Sequence, residues 1–289
     1  MKRILPIIIC ICLSCPALCQ IPCVICKSNQ DYGMTGFLWG DCNSIPADSL
    51  DLERLRVYYD YTYNGKTNMH SEWLLQTGSN TTCFLNANRY KADSTQRATR
   101  QPSRSRITKY IEGGDIFHFF DACYVSKDKC NFTCRFGLDD IMYEETLPAV
   151  SWELQDSVAN ICGYECRSAR GTFRGRTYFV FYTEDIPVSA GPWKLGGLPG
   201  LILHADVDGG KFIFHAKQIA SIAGTSILWP KYPYIKVNRN QYEKMFDQLL
   251  QNYAVAYSSH LSRQPNVRMG TDPGYIPPDL SWVESLEME

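Results

Sequence analysis

The sequence predicts a mainly β fold of the α+β kind: a curved antiparallel sheet or open β-barrel with a helix from the C-terminal region packed on it. Three observations predict it. Short runs of alternating side chains recur, the first at Leu55–Tyr63 with Tyr59, Tyr61 and Tyr63 on one face. Turn signals separate the runs at Asn64-Gly65, Gly78-Ser79-Asn80, Gly175 and Asp208-Gly209-Gly210. Helical spacing is sustained at Tyr242, Met245, Phe246, Leu249, Leu250 and Tyr253.

Residues 1–19 read as a secretory signal. Lys2 and Arg3 form the charged start, Ile4 to Leu13 the apolar stretch, and Ala17-Leu18-Cys19 a small-x-small cleavage site after Pro16. A lipid anchor at Cys15 or Cys19 is the alternative, although Leu18 and Leu13-Ser14 fit a lipobox only in part. The apolar run is too short to span a bilayer. Loss of Lys2 and Arg3 from 29 basic residues leaves 27 against 30 acids. Neither this balance nor any motif points to nucleic acid. Membrane contact is expected to be peripheral at most.

Nine cysteines follow the signal, at 23, 26, 42, 83, 123, 130, 134, 162 and 166. In an exported chain they read as disulfides with one left over. Cys23-x-x-Cys26 also suits zinc or a redox pair. If their segment is extended, Cys162 and Cys166 stand ~13 Å apart, beyond the ~4.4–6.8 Å that a disulfide allows. Cys123, Cys130 and Cys134 are then their candidate partners.

Residues 20–52 read as an irregular, Cys-rich lead-in. A single β-rich domain is expected over 53–289. Its strands begin at Leu55–Tyr63, Ser71–Thr77 and Thr82–Leu85. Residues 89–109 read as a polar loop carrying Arg89, Lys91, Arg97, Arg100, Arg104, Arg106 and Lys109 against the single acid Asp93. A solvated insertion is one reading. A dock for an acidic partner or an anionic surface is the other. Asp139, Asp140, Glu144 and Glu145 offer an internal partner for it. Strands with short turns are expected again from Ile116 to Tyr182, with Thr177–Thr183 central in a sheet because both faces are apolar or aromatic.

Leu201–Val207 and Lys211–Lys217 form the most detailed hairpin. A turn at Gly209-Gly210 puts Leu203, Ala205, Val207, Phe212, Phe214 and Ala216 on the core face, and a shift of the turn to Asp208-Gly209 moves the register by two but keeps the same faces. Ile202, His204, Asp206, Lys211, Ile213, His215 and Lys217 then share the other face. The helix is expected over about 241–257, capped by Asn238 or Asn240.

Only one constellation with chemistry follows from spacing. His204 and His215 lie opposite or diagonal on the hairpin, and Asp206 could complete a two-histidine, one-carboxylate metal set. Ordinary exposed strand residues are the simpler reading, so no metal and no catalytic residue is assigned. No cofactor is read either. The glycines at 196–200 make a poor phosphate cradle, because Pro199 removes an amide and no Lys-Ser/Thr pair follows. No nucleophile signature accompanies the cysteines and histidines. Adjacent carboxylates such as Glu144-Glu145 point to opposite faces of a strand.

Gly191, Pro192, Trp193, Gly197, Leu198, Pro199, Gly200, Leu201 and Ile202 read physically as a turn feeding a buried strand. Gly197–Ile202 also spells the signature of the GLPGLI family, which this chain resembles from about Trp152 to Ala216. Ile186-Pro187, Gly191-Pro192-Trp193 and Gly163-Tyr164 with Cys166 fit the same pattern. The resemblance implies an exported envelope protein of Bacteroidota, in a family without an assigned biochemical activity.

Three functions are carried forward. The first is a non-enzymatic envelope protein that binds a protein partner, such as an outer-membrane transporter component, with the 89–109 loop at the docking edge. The second is a periplasmic carrier of an apolar ligand, in a tunnel lined by Phe179, Phe181, Phe212 or Phe214. The third is a metal-dependent enzyme using His204, His215 and Asp206. For the exported protein, intact mass should give a chain starting at Gln20. A lipid-sized mass increment on Cys19 or Cys15 would show anchoring instead.

Overall fold

The structure, a computed structural model, describes residues 47–65, 68–87, 90, 122–136, 139–231, 233–251 and 285–287. Period-two alternation produces most of it. In β2 (Leu55–Asn64) the tyrosines at 59, 61 and 63 are buried, whereas Asp60 between them is exposed. The strand continues through β3 (Asn68–Thr77), β4 (Thr82–Asn86), β5 (Ala122–Ser126), β6 (Lys129–Phe136) and β7 (Asp139–Thr146) as one antiparallel meander. A second meander runs through β8 (Ser151–Ile161), β9 (Tyr164–Phe173), β10 (Arg176–Thr183), β11 (Leu201–Val207) and β12 (Phe212–Ser221). The two join where β12 pairs antiparallel with β2. The short β14 (Ile235–Lys236) adds parallel to β7 and completes a mixed 12-stranded sheet.

This sheet is not closed by backbone pairing, since β14 and β8 are its two edges. It nevertheless curls strongly. β7 and β10 stand eight strand spacings apart in its order, which on a flat sheet is roughly 38 Å. Yet Glu145 at the end of β7 contacts Arg174, in the turn leading into β10, at 2.6 Å. The inner face of the curl is the core, with Val57, Tyr59, Trp73, Phe84, Phe132, Tyr178, Leu203 and Phe214 all buried in one cluster.

The hairpin β11–β12 takes the first of the two registers that the sequence allows. Val207 faces Phe212, and His204 faces His215, about a turn centred on Gly209-Gly210. Ile202 departs from expectation: it is fully buried rather than on the polar face. The chain before β11 folds back over it, with the Ile202 amide donating to the Ala190 carbonyl at 2.9 Å. β10 is internal to the sheet, as its two-faced composition requires.

Four further local expectations are corrected. The end of the lead-in, Ala47–Leu52, is a strand (β1) paired with β13 (Ser226–Pro230) in a separate two-stranded sheet. Its partner lies far away in sequence, so local composition could not reveal it. Asp51 of β1 also accepts the amides of Asn80 and Thr81 at 2.7 and 3.1 Å, closing the β3–β4 turn. The β2–β3 connection is a three-residue loop, because Asn64 pairs with Asn68. Cys162 is not extended: with φ 54° it precedes Gly163 (φ 87°) in the tight β8–β9 turn. The expected disulfides are not seen among the described residues. Cys23, Cys26 and Cys42 lie outside those residues, as does the tail from Ser258 to Glu284.

The helix α1 (Arg239–Gln251) is capped as expected by Asn238. Its carboxamide accepts the Gln241 amide at 2.9 Å, and Gln241 returns a bond to the Asn238 amide at 2.8 Å. Tyr242 and Phe246 face inward, and Tyr242 packs on Phe132 and Tyr143. Leu249 and Leu250 have no described side-chain environment, and Tyr253 lies beyond the described helix.

Two glycines separate two causes of glycine dependence. A Cβ on Gly200 would lie 2.0 Å from the Thr183 carbonyl oxygen, whereas a Cβ on Gly209 (φ 68°) would meet open space. Gly200→Ala should therefore cost about 3 kcal/mol or more through a backbone clash. Gly209→Ala should cost only about 1 kcal/mol of conformational strain. Urea unfolding of both variants measures the difference.

Candidate functional site

The sequence motif builds an infolded segment. Between β10 and β11 the chain leaves the sheet at Glu184 and returns at Leu201. In between, Ala190, Trp193, Lys194, Leu195 and Leu198 are buried against the inner face. Tight backbone bonds shape this excursion: Val188 to Ile186 at 2.7 Å, Ala190 to Val188 at 2.8 Å and Leu195 to Pro192 at 3.2 Å. Trp152 Nε1 donates to the Gly196 carbonyl at 2.8 Å, and Tyr59 Oη donates to the Ile202 carbonyl at 2.6 Å. Gly197 adopts φ 87°, open to glycine without strain. Trp193 adopts φ 59°, a conformation that bulky residues avoid unless their surroundings impose it.

It also places a charge in the core. Lys194 is buried, and its Nζ reaches Glu145 Oε1 at 2.6 Å, Glu287 Oε1 at 2.7 Å and Tyr143 Oη at 3.1 Å. The rings of Trp193, Phe132 and Tyr143 surround the ammonium at 4.8, 5.2 and 5.4 Å. Burial alone would lower the Lys194 pKa. Attraction by Glu287 first, with Cys123 and Glu145 adding to it, outweighs burial and holds it above the ordinary lysine value. Lys194 is therefore a fixed cation, unsuited to act as a neutral amine nucleophile.

Two arginines share the same carboxylates. Arg174 binds Glu145 at 2.6 Å, while Arg239 lies 3.6 Å from Glu145 and 3.1 Å from Glu287. The Arg239 Nη1 and Nη2 atoms and Arg174 Nε are buried without a properly directed hydrogen bond. Three cations thus converge on Glu145 and Glu287, with donors to spare.

Glu287 arrives on a distant segment, Ser285–Glu287, that lies against the motif. Arg176, itself buried, donates from Nε to the Ser285 carbonyl at 3.0 Å, and a second bond to the same oxygen comes from Nη2. Leu286 is buried in the core cluster. Trp193 Nε1 donates to Glu287 Oε1 at 2.9 Å. Arg176 is itself held by Asp208 at 2.5 Å and stacks over Phe212 at 4.8 Å. The result is a clamp that grips a main-chain carbonyl, an apolar side chain and a carboxylate. Of its charged members the sequence points only to Glu145, and to that one as a partner for the basic loop. One signal was available: Lys194 stands in an apolar, glycine-rich run where a lysine needs a buried carboxylate partner.

On the opposite face of the sheet, His204 and His215 meet as expected, with Nδ1 to Nδ1 at 3.0 Å. Asp206 does not join them. Its carboxylate accepts the Gly210 amide within the turn. Among the described residues no group of three or more His, Cys, Asp or Glu side chains could hold a metal ion. Burial, and then the neighbouring His215, lower the His204 pKa against the opposing effect of Asp206.

The expected tunnel lining divides between faces. Phe179 and Phe181 lie opposite Asp206 and His204 on the outer side, whereas Phe212 and Phe214 are in the core. They cannot line one tunnel. The seven basic residues from Arg89 to Lys109 lie outside the described residues. Of their suggested acidic partners, Glu144 pairs with Lys129 at 3.1 Å and Glu145 belongs to the clamp. Burial raises the thiol pKa of Cys83, Cys123 and Cys162, and pushes Cys166 up to about 11. These cysteines are poor nucleophiles.

Residues 175–204, which hold β10, the infolded segment and the start of β11, match the model of a family described as "Protein of unknown function (Porph_ging)". No curated protein matches the chain. Two solved structures, titled "Structure of PNGF-II in P21 space group" and "Structure of PNGF-II in C2 space group", are similar at 15% identity, with TM-scores of 0.47 and 0.48. The similarity covers 67% and 68% of this chain and 33% of theirs, so the chain spans about a third of their length.

Removing the cation at the centre of the clamp leaves buried carboxylates undercompensated. Lys194→Met should cost about 3–5 kcal/mol. Combining it with Glu287→Gln should recover part of that loss. Thermal and urea unfolding of the single and double variants tests this coupling, and strict additivity would contradict it.

Proposed function

We propose that this chain is a GLPGLI-type exported envelope protein that works by binding a peptide segment, not by catalysis. The observation that carries this reading is the clamp around Ser285–Glu287. It recognises backbone, apolar side chain and carboxylate together, as peptide-binding sites do. Its buried arginine donors without directed partners leave capacity for a further acceptor. Its central lysine is held as a cation, and burial raises the pKa of the neighbouring Cys123 thiol, which favours binding over nucleophilic chemistry.

On this reading Ser285–Glu287 is the ligand in cis, and an envelope protein presenting a similar Leu-Glu segment is the partner. An outer-membrane transporter component is one such partner. The protein would act in the periplasm or at the outer envelope, with peripheral membrane contact at most. The basic residues 89–109 would supply a docking edge.

The test uses the full chain carrying Leu286→Ala and Glu287→Ala, which frees the clamp. A fluorescent peptide with the sequence of residues 280–289 should bind it saturably. Binding to the unaltered chain should be about ten-fold weaker or less, because the tethered segment competes at high effective concentration. Adding Arg239→Gln should abolish binding. A folded double variant that does not bind the peptide would reduce the clamp to a structural brace and overturn the proposal.

A further inference from the structure

We propose that His204 and His215 form a two-imidazole site for a divalent transition-metal ion of the zinc, nickel and copper class. The site is separate from the clamp, because it lies on the other face of the sheet.

The placement begins with register. His204 on β11 is directly opposite His215 on β12, and directly opposed strand residues bring their Cβ atoms to ~4.5–5.5 Å. Phe181 on β10 packs against the His204 ring at 5.9 Å between centroids and limits its orientation. The two rings therefore converge, and their Nδ1 atoms stand 3.0 Å apart. Two imidazole nitrogens on one ion, each at ~2.0–2.1 Å and subtending roughly 90–109°, stand roughly 2.8–3.4 Å apart. The observed spacing falls inside that range without any change of strand register.

The surroundings fit a cation. His215 is exposed and His204 is half-buried, so an ion can enter from solvent and keep water in its remaining positions. Asp206 lies two residues from His204 on the same face, and Asp60 of β2 lies opposite His215. Both add negative charge near the pair. The ammonium of Lys217, two residues along β12 from His215, is matched by Asp60 at 2.8 Å and Glu72 at 2.7 Å. Imidazole donors with open positions suit zinc, nickel and copper over calcium or magnesium, which take oxygen ligands.

The same 3.0 Å contact is compatible with a proton shared between the rings, so the experiment must tell a metal from a proton. Full-length protein labelled with nitrogen-15 is titrated with zinc until free zinc persists, which saturates any thiol sites as well. Long-range proton–nitrogen spectra of the imidazoles report which ring nitrogens change. The expected result is that the Nδ1 signals of His204 and His215 shift together and saturate. His204→Asn should remove the response of His215, and His215→Asn that of His204. Asp206→Asn should leave both responses in place. Unchanged imidazole signals at saturating zinc would overturn the proposal. So would a His215 response that survives His204→Asn in a folded protein.

Discussion

A lysine buried in an apolar core must be met by carboxylates, and much of this structure is organised around how Lys194 meets that demand. Burying an ammonium costs several kcal/mol unless oxygen acceptors replace the lost water. Here Glu145 comes from one end of the sheet order and Glu287 from a segment more than ninety residues further along the chain. Neither is near Lys194 in sequence. The need to bring both to one point is satisfied only when the sheet curls and the distant segment lies across the infolded motif. Such an ion cluster contributes little net stability, but it selects one arrangement among many apolar alternatives.

This constraint explains why the glycine- and proline-rich motif is infolded instead of forming an exposed loop. Its glycines permit a close approach to the Thr183 backbone and a positive φ at Gly197. Its Trp193 covers the lysine and also bonds Glu287. The motif is thus both scaffold and receptor wall. A binding role is consistent with that economy, since Lys194 is surrounded by fixed donors, by carboxylates that pair with it, and by a phenol and a thiol, Tyr143 and Cys123, whose pKa values burial raises.

The two faces of the sheet have different chemistry for a simple reason. Successive side chains of a strand point to opposite sides, so β11 contributes Leu203 and Ala205 to the core and His204 and Asp206 to the outside. The clamp and the histidine pair share strands but not environment. Chemistry at one can be altered without removing the packing that supports the other.

The sequence by itself determined the fold class and the faces of the β11–β12 hairpin, and it narrowed the hairpin register, the cap of α1 and the relation of His204 to His215 to two choices each. These depend on alternation, turn residues and capping groups, which act within a few residues of one another. Only the tertiary structure decided the strand at Ala47–Leu52, the burial of Ile202, the separation of Phe179 and Phe181 from Phe212 and Phe214, and the clamp. Each of these rests on contacts between residues far apart in the chain. Pattern rules carry no information about which distant carboxylate will neutralise Lys194, because Coulomb attraction and burial depend on distance in space, not on spacing along the sequence.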